Sequence, residues 1–268
     1  MFIGDIVGKP GVEIVLQALP GFRRQESIDL VIANGENSEN GSGITPSIYR
    51  KLIAAGVDCV TLGDHIYRKK DIISILEGQS NIVKPANYPA EAPGKNWAIV
   101  KAENGREVAV FSLMGRVFMK PVDCPYQKAN QILQEIPEHV KIRFCDFHAE
   151  ATSDKQLMGR HLDGRVTAVC GTHTHVPTAD EQILPGGTAF ISDVGMTGPH
   201  ESILGRKIEK VLQATLTFRP IPFDVATGDV QISGVIIEVD ANSGKGQGIR
   251  RIKINEKDAE ILEDEFDE

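Results

Sequence analysis

An α/β fold is the class this sequence predicts, on three observations. Short apolar, β-branched runs recur along the chain, and stretches with helical spacing of apolar residues separate them. Polar or glycine-rich loops stand directly after those runs, where open α/β sheets gather their sites. With 268 residues the chain can bury a substantial core. No internal repeat or low-complexity linker divides it. We therefore expect a single domain over residues 1–256 and an acidic, frayed C-terminal tail over 257–268.

Composition narrows the function classes. The chain is 41% hydrophobic and 25% charged, as ordinary globular proteins are. A net charge of −8 argues against a general nucleic-acid or anionic-membrane surface, which would favour a basic face. A small anionic substrate remains compatible, because local metal charge overrides the global sign. Cys59, Cys124, Cys145 and Cys170 form no Cys-x-x-Cys pair, and three lie in or beside apolar runs, so buried free thiols are expected. Asp5 interrupts any leader-like start, and no apolar run is long enough to span a membrane. A cytoplasmic protein is the expectation, and a homo-oligomer is compatible with it.

The elements follow in order. Met1 to Gly8 reads as a short strand closed by a glycine turn, with Pro10 in the first turn of a helix whose apolar face is Val12, Ile14, Val15, Leu16 and Leu19. Ile28 to Ala33 is a second strand, followed by the polar loop Asn34 to Gly43. Thr45-Pro46 supplies an N-cap and a first-position proline for a helix to about Ala55. Val57 to Leu62 is a third strand ending in Gly63-Asp64-His65, with a helix expected from Ile66 to Leu76. Trp97–Val100 and Glu107–Leu113 flank a hairpin turn at Glu103 to Arg106. A helix over Gln127 to Ile136 precedes the strand Ile142 to Phe147, after which Thr152 or Ser153 caps the next helix. Val166 to Cys170 is a buried strand that Gly171 ends, and His173 and His175 follow it. Thr188 to Ser192 is a further strand. Asp229 to Asp240 alternates as a strand and returns through Asn242-Ser243-Gly244 along Ile249 to Ile254.

Two histidines at i and i+2 in extended chain point the same way, so both imidazoles can face one metal. Alone, the pair reads equally as loop histidines hydrogen-bonded to neighbours. Placement decides. Asp5, Glu36, Asn37, Asp64, His65, His148, His173 and His175 all stand at or just beyond apolar strand ends. Carboxylates, an amide and imidazoles together suit a pair of divalent ions such as iron, manganese or zinc, and the lack of thiols argues against a structural zinc site. Two such ions are a recurring device for hydrolysis. His139 and His161 read as surface residues, and His200 stays open because its glycine-rich loop can reach the site.

Gly4-Asp5-Ile6-Val7-Gly8, Ala33-Asn34-Gly35-Glu36-Asn37, Leu62-Gly63-Asp64-His65, Asp146 to Ser153 and Gly171 to Thr178 resemble the YmdB-like family of calcineurin-like metallophosphoesterases. The likeness runs in order along nearly the whole chain. It implies a four-layer α/β/β/α sandwich with a mixed central β-sandwich, a dinuclear site at the sheet edge, and hydrolysis of 2′,3′-cyclic nucleotides such as 2′,3′-cAMP. Carried over by position, Asp5, Glu36, Asn37 and His175 hold one metal. Glu36 bridges to a second, completed by Asp64, His148 and His173, and His65 is the general acid. Arg116 is a candidate phosphate contact, balanced against a surface or structural arginine.

The chain departs from the resembled pattern twice. Asp64 stands where that pattern has asparagine, which predicts firmer metal retention and weaker attraction for phosphate. The segment before Gly4-Asp5 is also short, so either a truncated first strand or a misassigned start is expected. A metal- and nucleotide-binding regulatory protein with catalysis weakened by Asp64 is the alternative class, and a hydrolase of a non-phosphate ester is a third.

Overall fold

The structure is a computed structural model describing residues 1–267, with side chains described through residue 263. Two β-sheets pack face to face, and helices cover the outer face of each.

The first sheet holds β1 (Phe2–Ile3), β2 (Asp5–Ile6), β3 (Ile32–Asn34), β4 (Cys59–Thr61), β5 (Ile82–Val83), β12 (Met196–Pro199), β13 (Val230–Val239) and β14 (Gly246–Asn255). β1, β3, β4 and β5 run parallel, with Phe2 beside Ile32, Ile32 beside Cys59 and Val60 beside Ile82. β13 closes the other side antiparallel to β1 and carries β14 as its hairpin partner. β2 leaves this register and pairs instead with β12, Met196 opposite Asp5.

The second sheet runs β10 (Gln182–Ile183), β11 (Ala189–Ile191), β9 (Ala168–Thr172), β8 (Ile142–His148), β7 (Glu107–Met114) and β6 (Trp97–Lys101). Its centre is parallel, and its edges β6 and β10 are antiparallel. The β6–β7 hairpin turns at Gly105, whose φ of 81° suits glycine.

Three cores define the layers. Between the sheets, Phe2, Ile32, Cys59 and Val83 meet Val110, Phe144, Ala168, Cys170 and Ile191, with the Phe2 and Phe144 rings 4.8 Å apart. Outside the first sheet lie α1 (Gly8–Gln25), α2 (Pro46–Ala54), α3 (Ile73–Gly78) and α7 (Glu256–Asp267). Outside the second lie α4 (Pro125–Glu135) and α5 (Thr152–Leu162). This is the four-layer α/β/β/α sandwich. Helix α6 (Ile208–Thr217) stands apart and buries none of its residues.

Several expectations hold in detail. Thr45 caps α2, its Oγ1 accepting the Ile48 N–H at 3.3 Å, and Pro46 is the first helical residue. Cys59, Cys145 and Cys170 are buried free thiols, and Cys124 is free and half-buried. Among the described residues no helix is long and apolar enough to cross a membrane.

Others are corrected. The helix expected from Ile66 begins as a 3-10 turn at Lys70–Ile72 and becomes α3 only at Ile73. The preceding backbone is committed elsewhere, since the His65 N–H donates to Glu36 Oε2 at 3.0 Å. The α5 cap is Ala151 with no side-chain bond, so Thr152 is helical rather than a cap. The C-terminal segment expected to fray forms α7, which places Ala259 and Leu262 in the outer core against α1. Gly21 of α1 permits this, because a Cβ there would overlap the Leu262 carbonyl. Strands β10 and β12 and helix α6 have no counterpart in the sequence pattern read above.

Candidate metal centre

Parallel strands deliver their polar residues to one edge, and both sheets contribute. Asp5 lies in β2, Glu36 and Asn37 turn off the end of β3, and Asp64 and His65 follow β4. From the facing sheet, His148 is the last residue of β8, and His173 and His175 follow β9. Gly63 is needed at the junction, because a Cβ there would enter the space of His148 and Glu36.

Glu36 is the hub. Its Oε1 is 3.0 Å from His148 Nε2, 3.2 Å from Asn37 Nδ2 and 3.8 Å from His65 Nδ1. Glu36, Asp64, His148 and His173 each bring a ligand atom, all within 4.8 Å of one another. A second group lies against the same carboxylate: Asn37 Nδ2 is 3.3 Å from Asp5 Oδ1 and 3.3 Å from His175 Nε2, and His175 Nε2 is 3.8 Å from Asp5 Oδ1. The Asn37 amide therefore points its N–H₂ into an anionic pocket. A 180° flip, chemically equivalent at the level of shape, would turn Oδ1 into that pocket and Nδ2 onto Nδ1 of His65.

The donor set fits divalent cations. Asp5 and Glu36 are fully buried and share the cluster with the largely buried Asp64, an arrangement that is costly without positive charge. Burial raises the Asp5 carboxyl above its usual range, with His175 and His148 only partly offsetting it. Burial also opposes ionisation of Glu36 and Asp64, yet the neighbouring His148 outweighs it and both are held low. His148 is driven down by burial and up by Glu36, Asp64 and Asp5, and the carboxylates win. His173 falls to about 4 through burial and the adjacent His148.

An outer set of residues fixes each imidazole. His148 Nδ1 donates to Thr172 Oγ1 at 2.9 Å, and that hydroxyl donates to Asp146 Oδ1 at 2.7 Å, leaving Nε2 free for the cluster. Asp146 is buried and pushed up to about 6 by burial, while also accepting from Asn34 and Thr61. His173 turns Nδ1 to the cluster and Nε2 to Glu150 Oε2 at 3.2 Å. His175 Nδ1 donates to the Leu204 carbonyl at 3.1 Å.

Both loop histidines occupy positive φ, 99° at His173 and 65° at His175, which side-chain-bearing residues rarely adopt. Asp193 holds Thr174 between them. Its Oδ2 accepts from the Thr174 N–H at 3.1 Å, the Thr174 hydroxyl at 2.8 Å and the buried Lys155 ammonium at 2.6 Å.

Sequence reasoning missed these supports. Asp193 carries the same signal as the ligands, an acid just past an apolar strand, whereas Lys155 on α5 carries none. Lys120 was also missed: its Nζ donates to the Asp64 carbonyl at 2.9 Å and lies 3.5 Å from Asp64 Oδ2. Arg116 is exposed four residues earlier, and the cation that reaches the cluster is Lys120. Other histidines lie elsewhere. His139 is exposed beside Glu107, His161 is half-buried against Tyr126, and His200 bonds the Gly198 carbonyl of its own loop.

Residues 1–252 match the family model described as YmdB-like protein. The chain belongs to the YmdB-like family. A Bacillus subtilis (strain 168) relative named 2′,3′-cyclic-nucleotide 2′-phosphodiesterase is 46% identical over 256 residues, covering 96% of this chain and 97% of its own. A solved structure of a hypothetical protein from Thermus thermophilus superposes with a TM-score of 0.89 at 40% identity, over 95% of this chain and 98% of that one. A novel phosphatase from Mycoplasma pneumoniae gives 0.88 at 31% identity, over 95% and 92%. Membership in the YmdB-like family makes this chain a phosphoesterase, and its carboxylate–imidazole cluster is a metal-binding site in kind.

Proposed function

We propose that this YmdB-like chain is a dinuclear phosphodiesterase that opens 2′,3′-cyclic nucleotides such as 2′,3′-cAMP. The observation that carries the reading is Glu36, whose buried carboxylate lies within reach of two groups of ligands at once. Asp5, Glu36, Asn37 and His175 are assigned to one ion, and Glu36, Asp64, His148 and His173 to the other. Iron or manganese best suits oxygen and imidazole donors without thiols, with zinc next. Such ions, when bound, supply Lewis acidity that activates water and neutralises phosphoryl oxygens.

The chain's own chemistry centres on His65. Its Nδ1 lies 2.7 Å from the Asn37 side-chain amide, whose N–H₂ faces the ring once Oδ1 is turned to the first ion, and this leaves Nε2 as the working nitrogen, 3.6 Å from Asp64 Oδ2. The side chain is 27% exposed, so it borders the open side of the cluster where a leaving group departs. With the proton on Nε2, it gives that proton to the departing ribose oxygen, a contribution of about 10²–10⁴-fold. The relative named as a 2′,3′-cyclic-nucleotide phosphodiesterase supports this substrate class. A purely regulatory, catalytically weakened protein is less well supported, because Lys120 offsets the charge that Asp64 adds.

Self-association belongs to the same reading. Leu212, Leu216, Phe218, Phe223, Ile203 and Leu204 are exposed on and around α6. Ile208 is exposed beside them, and a second copy is the proposed cover. Free thiols fit a reducing compartment such as the cytoplasm.

The deciding experiment is 2′,3′-cAMP turnover by protein reconstituted anaerobically with iron or manganese, with metal content measured on the same sample. Turnover at about two ions per chain, the stoichiometry of a two-metal site, together with its loss in His65→Asn at unchanged metal content, upholds the reading. Full metal loading without turnover sinks it. Sedimentation of the same sample as a monomer at all concentrations removes the proposed self-interface.

A further inference from the structure

We propose that the turn at residues 116–119 is a nucleobase-binding arm over the metal centre, with Phe118 as its stacking surface and Lys120 as a phosphate contact. The inference rests on the cyclic-nucleotide reading and names how the base would be held.

Both ends of the arm are anchored on the cluster. The Gly115 N–H donates to the His148 carbonyl at 3.0 Å, and Lys120 Nζ donates to the Asp64 carbonyl at 2.9 Å. At its base Asp154 Oδ2 accepts the N–H groups of Arg116 and Val117, each at 3.1 Å. The Met119 N–H closes the turn on the Arg116 carbonyl at 3.3 Å. Gly115 lets the arm lie tight on the segment that follows β8, because a Cβ there would overlap Ala149. The arm is therefore a fixed rim.

Phe118 stands at its tip, 88% exposed and at a φ of 61°. Neither feature helps the fold. A left-handed backbone is unfavourable for a bulky aromatic, and a ring left in water recovers none of its hydrophobic burial. Glycine or asparagine would suit the position better. A strained, exposed aromatic on a pinned turn beside a reactive cluster is the signature of a residue kept for a ligand. Purine and pyrimidine bases offer the flat π-face that such a ring stacks on, and Val117, 41% exposed, extends the apolar platform.

Reach agrees with this. Phe118 is two residues from Lys120, so at most about 7 Å of chain separates their backbones. We place the phosphate at the cluster, beside the Lys120 ammonium, and seat its attached base on the Phe118 ring of the same turn. Stacking tolerates any base. The arm accordingly predicts a preference for nucleosides over base-free sugars, with little discrimination among bases.

The test compares 2′,3′-cAMP with the base-free methyl riboside 2,3-cyclic phosphate in metal-loaded wild-type protein, Phe118→Ala, Phe118→Trp and Lys120→Met. We expect Phe118→Ala to lower the ratio of kcat/KM values for the two substrates about tenfold, and Phe118→Trp to restore it. Lys120→Met should raise KM for both substrates. Equal effects of Phe118→Ala on both substrates, or none on either, overturn the proposal. Wild-type protein inactive on both sinks the activity reading alone. The arm is then decided by calorimetric titration of 3′-AMP: weaker binding to Phe118→Ala than to wild type upholds it, and equal binding overturns it.

Discussion

Asp64 carries the finest charge balance in the site. Counted with Asp5 and Glu36, it would set three negative charges against the two divalent ions proposed above, and on that count phosphate should be weakly attracted. Lys120 changes the sum, because its ammonium lies 3.5 Å from the Asp64 carboxylate and returns one positive charge to the rim. Asp64→Asn removes a proposed carboxylate ligand and the ion pair with Lys120, which then keeps only its bond to the residue 64 carbonyl. The variant should lose metal to a chelator about tenfold faster, a difference of roughly 1.4 kcal/mol, and show a lower KM for a phosphodiester. Unchanged chelation kinetics and unchanged KM would end this account. Asp64, His65 and Glu36 could be picked out from residue type and position after strands. Lys120 could not, because nothing in a lysine 56 residues away marks it as Asp64's neighbour.

At the scale of elements, the loop after β9 shows how a histidine pair is held in an unfavourable backbone. His173 and His175 keep positive φ because Asp193 grips Thr174 twice and is itself paired with buried Lys155. Asp193→Ala would strand the Lys155 ammonium in the core and free the loop. A loss of about 3–5 kcal/mol is expected, read by urea unfolding, and metal binding should weaken in step. Full metal affinity in the variant would show that the loop holds itself. Helix α7 gives a second case. Leu262 is 5% exposed and packs on α1, so Leu262→Ala should cost about 2–5 kcal/mol. A change under about 0.5 kcal/mol, typical of surface positions, would mean the helix is dispensable. In sequence this segment reads as a solvated tail because its acids dominate, and burial of Ala259 and Leu262 makes it a packed helix.

For the whole molecule, the cluster joins two sheets that also meet through the apolar layer between them and the Asp146 bonds to Asn34 and Thr61. Asp5, Glu36 and Asp64 come from the first sheet and His148, His173 and His175 from the second, so metal binding ties the halves of the sandwich together. Ions that bind the native state alone stabilise it by mass action, about 4 kcal/mol at a thousandfold excess over Kd. Chelation should therefore lower Tm by several degrees, and an unchanged Tm on complete metal removal would contradict the cross-sheet role. Metal retention should also fall as pH drops, because carboxylates and imidazoles bind metal only when deprotonated. Equilibrium dialysis across pH 8 to 5 measures it, and pH-independent retention would exclude these groups as the ligands.

The order of elements, the α/β class, the capped start of α2 and the set of polar residues past strand ends all follow from local pattern. Period-two and period-3.6 spacing, turn chemistry and residue type are properties of neighbours in the chain. Which strand ends share an edge, and which supports hold them, depends on contacts between residues 25 to 168 positions apart, as between His173 and His148 or Asp5. The twist of β2 from β1 onto β12, the Thr172–Asp146 prop behind His148 and the pinning of the 116–119 turn to Asp64 and His148 belong to this second kind. Local propensity carries no information about them, because each joins residues far apart in the chain and exists only once the strands that carry them have assembled.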